Sequence, residues 1–417
     1  MAKIAIIGAG VSGLSAAHFL KGHQVVVFEK DHCAGGLIKC RRVEGSLFHT
    51  CGGHVFNSKR QAILDWFWSR FNQDKAFHKT DRNAVVFMKE RQAIPYPIEN
   101  HLYLFDEDTQ KQFISDLITI AKIEGVEPHN FEEFLKGRFG QTLYELYFQP
   151  YNEKVWRRDL RQVPLSWLEG KLPMPTVEEM IYNNINHVKE KAFVHATFWY
   201  EKQNGSQFLA DQLAEGLDIR YHSEIDSIRL IEGKWHVAGE VFDKVVFCGN
   251  IKDMVKMIAG VDLTSYFQPV EKLEYHGTTA VFCEIDKNPY SWIYLPSRSY
   301  DCHRIICTGN FAASNNSSSV PANRITATVE FTDMIKKEEI LDNLSKIPLH
   351  PKYLDHQYNQ YTYPIQDANT RGMIKQLKAV LAPYQFYFTG RFADWEYYNM
   401  DVAMGAAMDV SKGILSD

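Results

Sequence analysis

No run in this 417-residue sequence is apolar for long enough to cross a bilayer as a helix. The first strand-like run starts at Lys3, so neither a secretory leader nor a membrane span is expected. Seven cysteines (Cys33, Cys40, Cys51, Cys248, Cys283, Cys302 and Cys307) form an odd set without the spacing of a metal site. No metal is therefore expected, and a reducing cytoplasm with free thiols is the simplest setting. Charge of one sign is also missing: the net charge is -5, which gives no reason to expect nucleic acid. There is no internal repeat. What is present is an ordinary globular composition, 45% hydrophobic and 23% charged, in a chain long enough for more than one domain.

The chain is organised around Lys3 to Gly36. Ile4 to Ile7 is an apolar run suited to a buried parallel strand. Gly8, Gly10 and Gly13 follow with dinucleotide-binding spacing. The first allows a tight turn, the second a close approach of pyrophosphate, and the third close packing of helix on strand. Ser12 to Leu20 reads as the helix whose N-terminus faces the phosphates. Val25 to Phe28 reads as the second strand, with Glu29 at its tip placed to accept from a ribose. The competing reading, a glycine-rich turn in an unrelated fold, leaves Glu29 unexplained. Gly35-Gly36 favours a flavin and looks like the second glycine signature of FAD-dependent amine oxidases and their relatives.

Further along, Ile38 to Phe48 reads as a strand pair bent at Glu44-Gly45, and Ser58 as the cap of a helix through Ile63, Trp66 and Phe67. Ala84 to Met88 and Ala93 to Tyr96 read as a hairpin around Glu90. Leu102 to Trp156 has helical period, with Gly137 and Gly140 as breaks, and is expected to be an insertion. Arg157, Arg158 and Arg161 form a basic run that suits either a solvated face or guidance of an anion. Strands at 197–200 and 219–247 return the chain to the nucleotide domain. Thr278 to Ile285, Trp292 to Leu295, Arg304 to Gly309 and Ile325 to Phe331 suggest an antiparallel sheet. Ala312 to Pro321, rich in Asn and Ser, is expected to be mobile. A last strand, Phe386 to Thr389, leads to a helix from about Met400. The fold class is α/β: a Rossmann-like FAD-binding domain (1–58, 197–250 and 381–417), a mainly helical insertion (59–196) and an antiparallel-sheet substrate domain (251–380).

Several pieces in chain order resemble UDP-galactopyranose mutases, within the amine-oxidase-like flavoprotein group. They are Gly52-Gly53-His54-Val55-Phe56, Pro95-Tyr96-Pro97, Tyr151-Asn152-x-Lys154-Val155-Trp156, Tyr363-Pro364, and Gly390-Arg391-Phe392 followed by Trp395-x-Tyr397-Tyr398-x-Met400-Asp401. The resemblance implies an isomerase using reduced FAD, with NAD(P)H as possible reductant. The flavin N5 attacks the anomeric carbon of a nucleotide sugar and expels UDP; the sugar, held on the flavin, reopens and recloses as a five-membered ring. Surface-polysaccharide synthesis and a possible homo-oligomer are implied with it.

The same resemblance assigns residues. Gly8, Gly10, Val11, Ser12, Gly13, Glu29, Lys30, Gly36 and Leu37 would hold the cofactor, joined by Gly53, His54, Gly390, Arg391, Tyr398 and Met400. His54 would lie near the reactive flavin atom; read from the residues alone, a core histidine satisfied by backbone is the favoured reading. Arg304 would bind diphosphate through its planar fork. Tyr363, Tyr397 and Tyr398 would supply hydroxyls, and Asn152, Trp156 and Trp199 would line the substrate pocket. The family carries a second diphosphate arginine on or near a mobile segment. The nearest positions here, Trp199 and the stretch 171–175, hold none, and Lys171, Lys202, Arg157, Arg158 and Arg161 are the candidate replacements. Two other readings stand beside the mutase: an FAD oxidase or desaturase of the amine-oxidase type, and a non-catalytic FAD-binding scaffold.

Overall fold

The computed structural model describes residues 1–88, 92–122, 127–165, 175–188 and 196–416. Its first organising layer is a five-stranded parallel sheet in the order Phe386–Phe388, Lys244–Phe247, Lys3–Ile7, Gln24–Phe28, Asp218–Arg220. Lys3–Ile7 lies centrally because its apolar residues are covered on both faces, and Ile4, Ala5 and Ile6 are fully buried. Helix Val11–Phe19 packs against the C-terminal helix Met400–Ser416, with Leu14 and Ala16 meeting a core that includes Met404 and Ala407. Gly13 faces the preceding strand and turn, where a Cβ would lie 1.9 Å from the carbonyl oxygen of Gly8.

The second layer is a seven-stranded sheet in the order Lys352–Ile365, Glu274–Asp286, Arg324–Thr332, Arg304–Ile306, Trp292–Tyr294, Ala84–Phe87, Ala93–Pro95. All its pairings are antiparallel except Trp292–Tyr294 with Ala84–Phe87. The sheet therefore recruits two strands from the segment expected to be mainly helical, and the turn around Glu90 lies outside the described residues.

Helices Glu107–Ile120, Phe131–Leu143, Gln149–Trp156 and Val177–Asn186 pack beside that sheet over Phe113, Leu117, Phe131, Phe139 and Trp156. Asp106, Asn130 and Thr176 cap three of them by accepting from main-chain N–H groups. Gly140 breaks its helix at φ 83°, and Asp116 fills the gap by accepting from Thr142 N at 2.7 Å. Gly137, the other expected break, stays helical, and a Cβ there would meet open space.

Two local expectations are corrected. Ser58 does not cap the helix: Gln61–Arg70 starts after Arg60, and Ser58 Oγ accepts from Arg60 N outside it. The Asn/Ser-rich stretch 312–321 is pinned rather than loose. Asn315, fully buried, donates to Tyr200 Oη and the Thr308 carbonyl, and Asn316 bonds Gly309 and Thr326. Lys352–Ile365 is one 14-residue strand.

Candidate active site

At the C-terminal end of the parallel sheet, Gly10 caps helix Val11–Phe19 without any side chain accepting from its first turn. Those N–H groups and the helix dipole make an anion site. Gly10 pairs with Gly35, and Gly36, at φ 54°, comes so near that a Cβ would sit 3.3 Å from Gly10 Cα. The result is a cleft of about 300 Å³. Gly10, Val11, Ser12, Lys30, Gly36 and Leu37 line one side, and His54, Gly390, Arg391, Tyr398 and Met400 the other. Gly8 and Gly13 shape the turn from behind. Glu29 also stays behind the wall: its two carboxylate oxygens accept from Ala9 N at 2.7 Å and Asp31 N at 3.0 Å. It therefore fixes the two turns that frame the cleft. The open helix end, the glycine cradle and an unpartnered His54 Nε2 all fit a dinucleotide cofactor such as FAD.

A second cavity of about 210 Å³ adjoins the cleft. Cys51, Gly52, Gly53 and His54 reach it from one loop, and Arg82, Trp292, Tyr294 and Arg304 from the large sheet. Thr362 and Tyr363 come from the long strand; Arg391, Tyr397, Asn399 and Met400 come from the last loop and helix. His54, Arg391, Asn399 and Met400 belong to both spaces and so form their common wall.

The cavity wall is a chain of cations and phenols. Strand register sets Tyr294 beside Arg304 and Arg304 beside Glu330. Glu330, fully buried, accepts from Arg304 Nε and, at 2.9 Å, from Gly52 N. One carboxylate thus ties the glycine loop to the arginine. Arg304 Nη2 donates to Tyr363 Oη at 3.0 Å, and Tyr363 stacks on Tyr397 with ring planes 2° apart. Arg391 lies 4.5 Å over the Tyr397 ring and donates to the carbonyls of Tyr398 and Thr362. Arg82 sits 5.3 Å over both Tyr96 and Trp292 and donates to Tyr294 Oη. Behind this wall Asp394 accepts from Gly390 N, Thr389 Oγ1 and Tyr398 Oη, and pairs with Lys378.

Among the described residues, three guanidiniums line the cavity, and Glu330 pairs with one of them, Arg304. Burial opposes charge on Arg304, yet Glu330 keeps its pKa well above the ordinary value. Burial, helped by the Arg391 charge, lowers His54 to about 4, so its imidazole is neutral at pH 7. Burial also raises the Cys51 thiol to about 12, and it stays protonated. Such a wall can hold a polyanion and offer phenolic donors to it, beside a cofactor cleft.

Not every expected residue arrives here. Asn152 spends its amide on the Phe148 carbonyl one turn back in its helix, at 2.7 Å. Trp156 is 4% exposed, packed near Phe131 in the helical core. Trp199 pairs with Phe56 by two main-chain bonds and packs on Trp68. None of the three lines either space, because helix and strand pairing turn them toward cores. The candidate replacement cations are engaged elsewhere: Lys202 on the Asp74 and Lys75 carbonyls, Arg157 on the Thr332 carbonyl, Arg158 with Glu274, and Arg161 with Asp159. Lys171 lies outside the described residues. Arg82, Glu330, Asn399 and Asp394 were missed. A carboxylate inside the apolar run 325–331 was a usable signal for Glu330; Arg82 had none.

Residues 6–71 match the model of the NAD(P)-binding Rossmann-like domain. The UDP-galactopyranose mutase of Mycoplasma genitalium is 20% identical over 433 residues, spanning 99% of this chain and 95% of that one. The Mycoplasma pneumoniae protein of the same name is 20% identical over 438 residues, spanning 98% and 95%. A crystal structure of reduced UDP-galactopyranose mutase superposes with a TM-score of 0.87 at 20% identity, covering 100% of this chain and 96% of that one. The chain is therefore UDP-galactopyranose mutase-like along its whole length, in sequence and in fold.

Proposed function

We propose that the protein is an FAD-dependent sugar-nucleotide mutase acting in the cytoplasm, interconverting UDP-galactopyranose and UDP-galactofuranose or a closely related nucleotide sugar for surface-polysaccharide synthesis. The observation that carries this reading is the shared wall: a cavity lined by Arg82, Arg304 and Arg391 opens onto the dinucleotide cleft through His54, Arg391, Asn399 and Met400. An amine or apolar substrate would gain nothing from three guanidiniums, whereas a diphosphate leaving group needs them. When bound and reduced, FAD supplies an electron-rich nucleophile toward the cavity.

The chain's own residues do the rest. Gly8, Gly10, Gly13 and helix Val11–Phe19 bind the cofactor's pyrophosphate, with Val11, Ser12, Glu29, Lys30, Gly36 and Leu37 shaping its adenosine side. Gly53, His54, Gly390, Tyr398 and Met400 bound its ring end, where neutral His54 directs Nε2 without adding charge. Arg391 offsets negative charge at that end. Arg304, held by Glu330, grips diphosphate together with the hydroxyls of Tyr363 and Tyr397; burial raises that of Tyr363 well above its ordinary value, so it stays a protonated donor. Holding the departing diphosphate near its partner converts recombination into a local event.

The test is direct. Dithionite-reduced protein is incubated with UDP-galactofuranose, and product is separated by anion exchange. Conversion to UDP-galactopyranose is expected. No conversion of any nucleoside-diphosphate sugar, together with rapid anaerobic bleaching of the flavin by an amine, would replace this reading with the oxidase.

A further inference from the structure

Resting on the reading of His54 as a wall of the cofactor's ring end, we propose that His49 is a positioning residue: it holds the main chain of His54 and thereby aims the His54 imidazole at the cofactor. The loop from Cys51 to Val55 lies between two main-chain anchors, Thr50 N on the Lys39 carbonyl and Phe56 N on the Trp199 carbonyl. Inside it, buried side chains accept from two N–H groups: Glu330 from Gly52 at 2.9 Å, and His49 Nδ1 from His54 at 3.4 Å. His49 ends strand Ser46–His49 and is fully buried. The His54 ring lies 5.9 Å from it, lines both the cleft and the cavity, and carries an unpartnered Nε2.

The hydrogen bonds fix the form of the His49 ring. A main-chain N–H can only donate, so His49 Nδ1 is bare and its proton sits on Nε2. Nε2 then donates to Tyr200 Oη at 2.8 Å, and Tyr200 Oη also accepts from Asn315 at 3.0 Å. Ser206 Oγ lies 3.1 Å from Nδ1 and donates to the carbonyl of Ile38, a residue that lines the cleft. Burial drives the His49 pKa down to about 3, so the ring keeps one acceptor and one donor at neutral pH. One edge serves the cofactor-facing loop, and the other serves the pinned stretch 312–321 through Tyr200.

Asparagine and glutamine separate the two edges. An asparagine Oδ1 stands where Nδ1 stands and can accept from His54; a glutamine Nε2 reaches as far as the imidazole Nε2 and can donate to Tyr200. The FAD-loaded protein is compared as wild type, His49→Asn and His49→Gln by amide hydrogen exchange over 52–56 and 308–316, and by dye-coupled reduction of the flavin. In His49→Gln the His54 amide should exchange about tenfold faster, the factor for one lost hydrogen bond. The ratio of reduced to oxidised flavin at a fixed dye potential should move with it, by about threefold or more. In His49→Asn both should stay within about twofold of wild type, while exchange over 308–316 rises. The reverse pattern, equal changes in both variants, or no change in either overturns the proposal, and so does faster exchange with an unmoved flavin ratio. If neither variant folds, spectra of nitrogen-labelled histidine in the wild type decide. A bare His49 Nδ1 beside a protected His54 amide upholds the proposal, and a protonated Nδ1 or an unprotected amide overturns it. None of these readouts needs substrate. A flavin-loaded protein that converts no nucleotide sugar therefore loses the mutase reading with His49 still in place, whereas failure of these tests in an active mutase removes His49 alone.

Discussion

The two halves of the site are held together by different means. The dinucleotide cleft is built from main chain: glycines that admit close approach, a bare helix end, and Glu29 used as a brace for two turns. The adjoining cavity is built from side chains whose positions depend on one another, through Glu330, Arg304, Tyr363, Tyr397 and Arg391. The first should tolerate many side-chain changes but no added carbon at its tightest point. The second should tolerate backbone variation but not the loss of one link.

That contrast can be broken at four places. Gly13→Ala should have the largest effect, because the new Cβ meets the Gly8 carbonyl at 1.9 Å and the backbone must move. A loss of about 3 kcal/mol or more is expected, with little flavin retained on purification. Thermal unfolding and flavin absorbance report both. Glu330→Gln should follow, at about 3 kcal/mol, since it strands a guanidinium that burial already disfavours. Chemical denaturation measures it, and UDP affinity should fall together with stability. An unaffected UDP affinity would show that Arg304 keeps its place without the carboxylate.

Asn315→Ala tests the pinned loop. Removing an amide that serves Tyr200 and Thr308 should cost about 1–2 kcal/mol and expose 312–321 to limited proteolysis, while flavin content holds. The smallest effect concerns pH. His54 titrates near 4 and His49, buried against Tyr200, near 3. The unfolded chain takes up these protons near pH 6.5 and the folded chain does not. Stability is therefore full above that pH and declines as pH falls toward 4 for His54 and 3 for His49. At pH 5.5 each contributes about 1 kcal/mol of loss. His54→Gln should flatten part of the slope in a series of melting curves from pH 7 to 4.5.

Much of the first half was legible because its determinants are neighbours in sequence. Gly8, Gly10, Gly13 and Glu29 fall within 22 residues, and each does local work that spacing reveals. The cavity was only partly legible. Arg304, Tyr363, Tyr397 and Arg391 were reached through family resemblance, and all four line it. Arg82 and Glu330 were not, since register across the large sheet decides which side chains meet and no local pattern encodes that register. Asn152, Trp156 and Trp199 carry suggestive chemistry but face helix and strand interiors. The Asn/Ser-rich stretch misled for a related reason: the amides that suggest a solvated loop are the groups that fasten it.

The partition formed by His54, Arg391, Asn399 and Met400 has a thermodynamic corollary. Molecules lodged on its two sides press on the same four residues, so their affinities are linked and the linkage is reciprocal. Whatever factor an occupant of the cleft imposes on the cavity, an occupant of the cavity returns to the cleft.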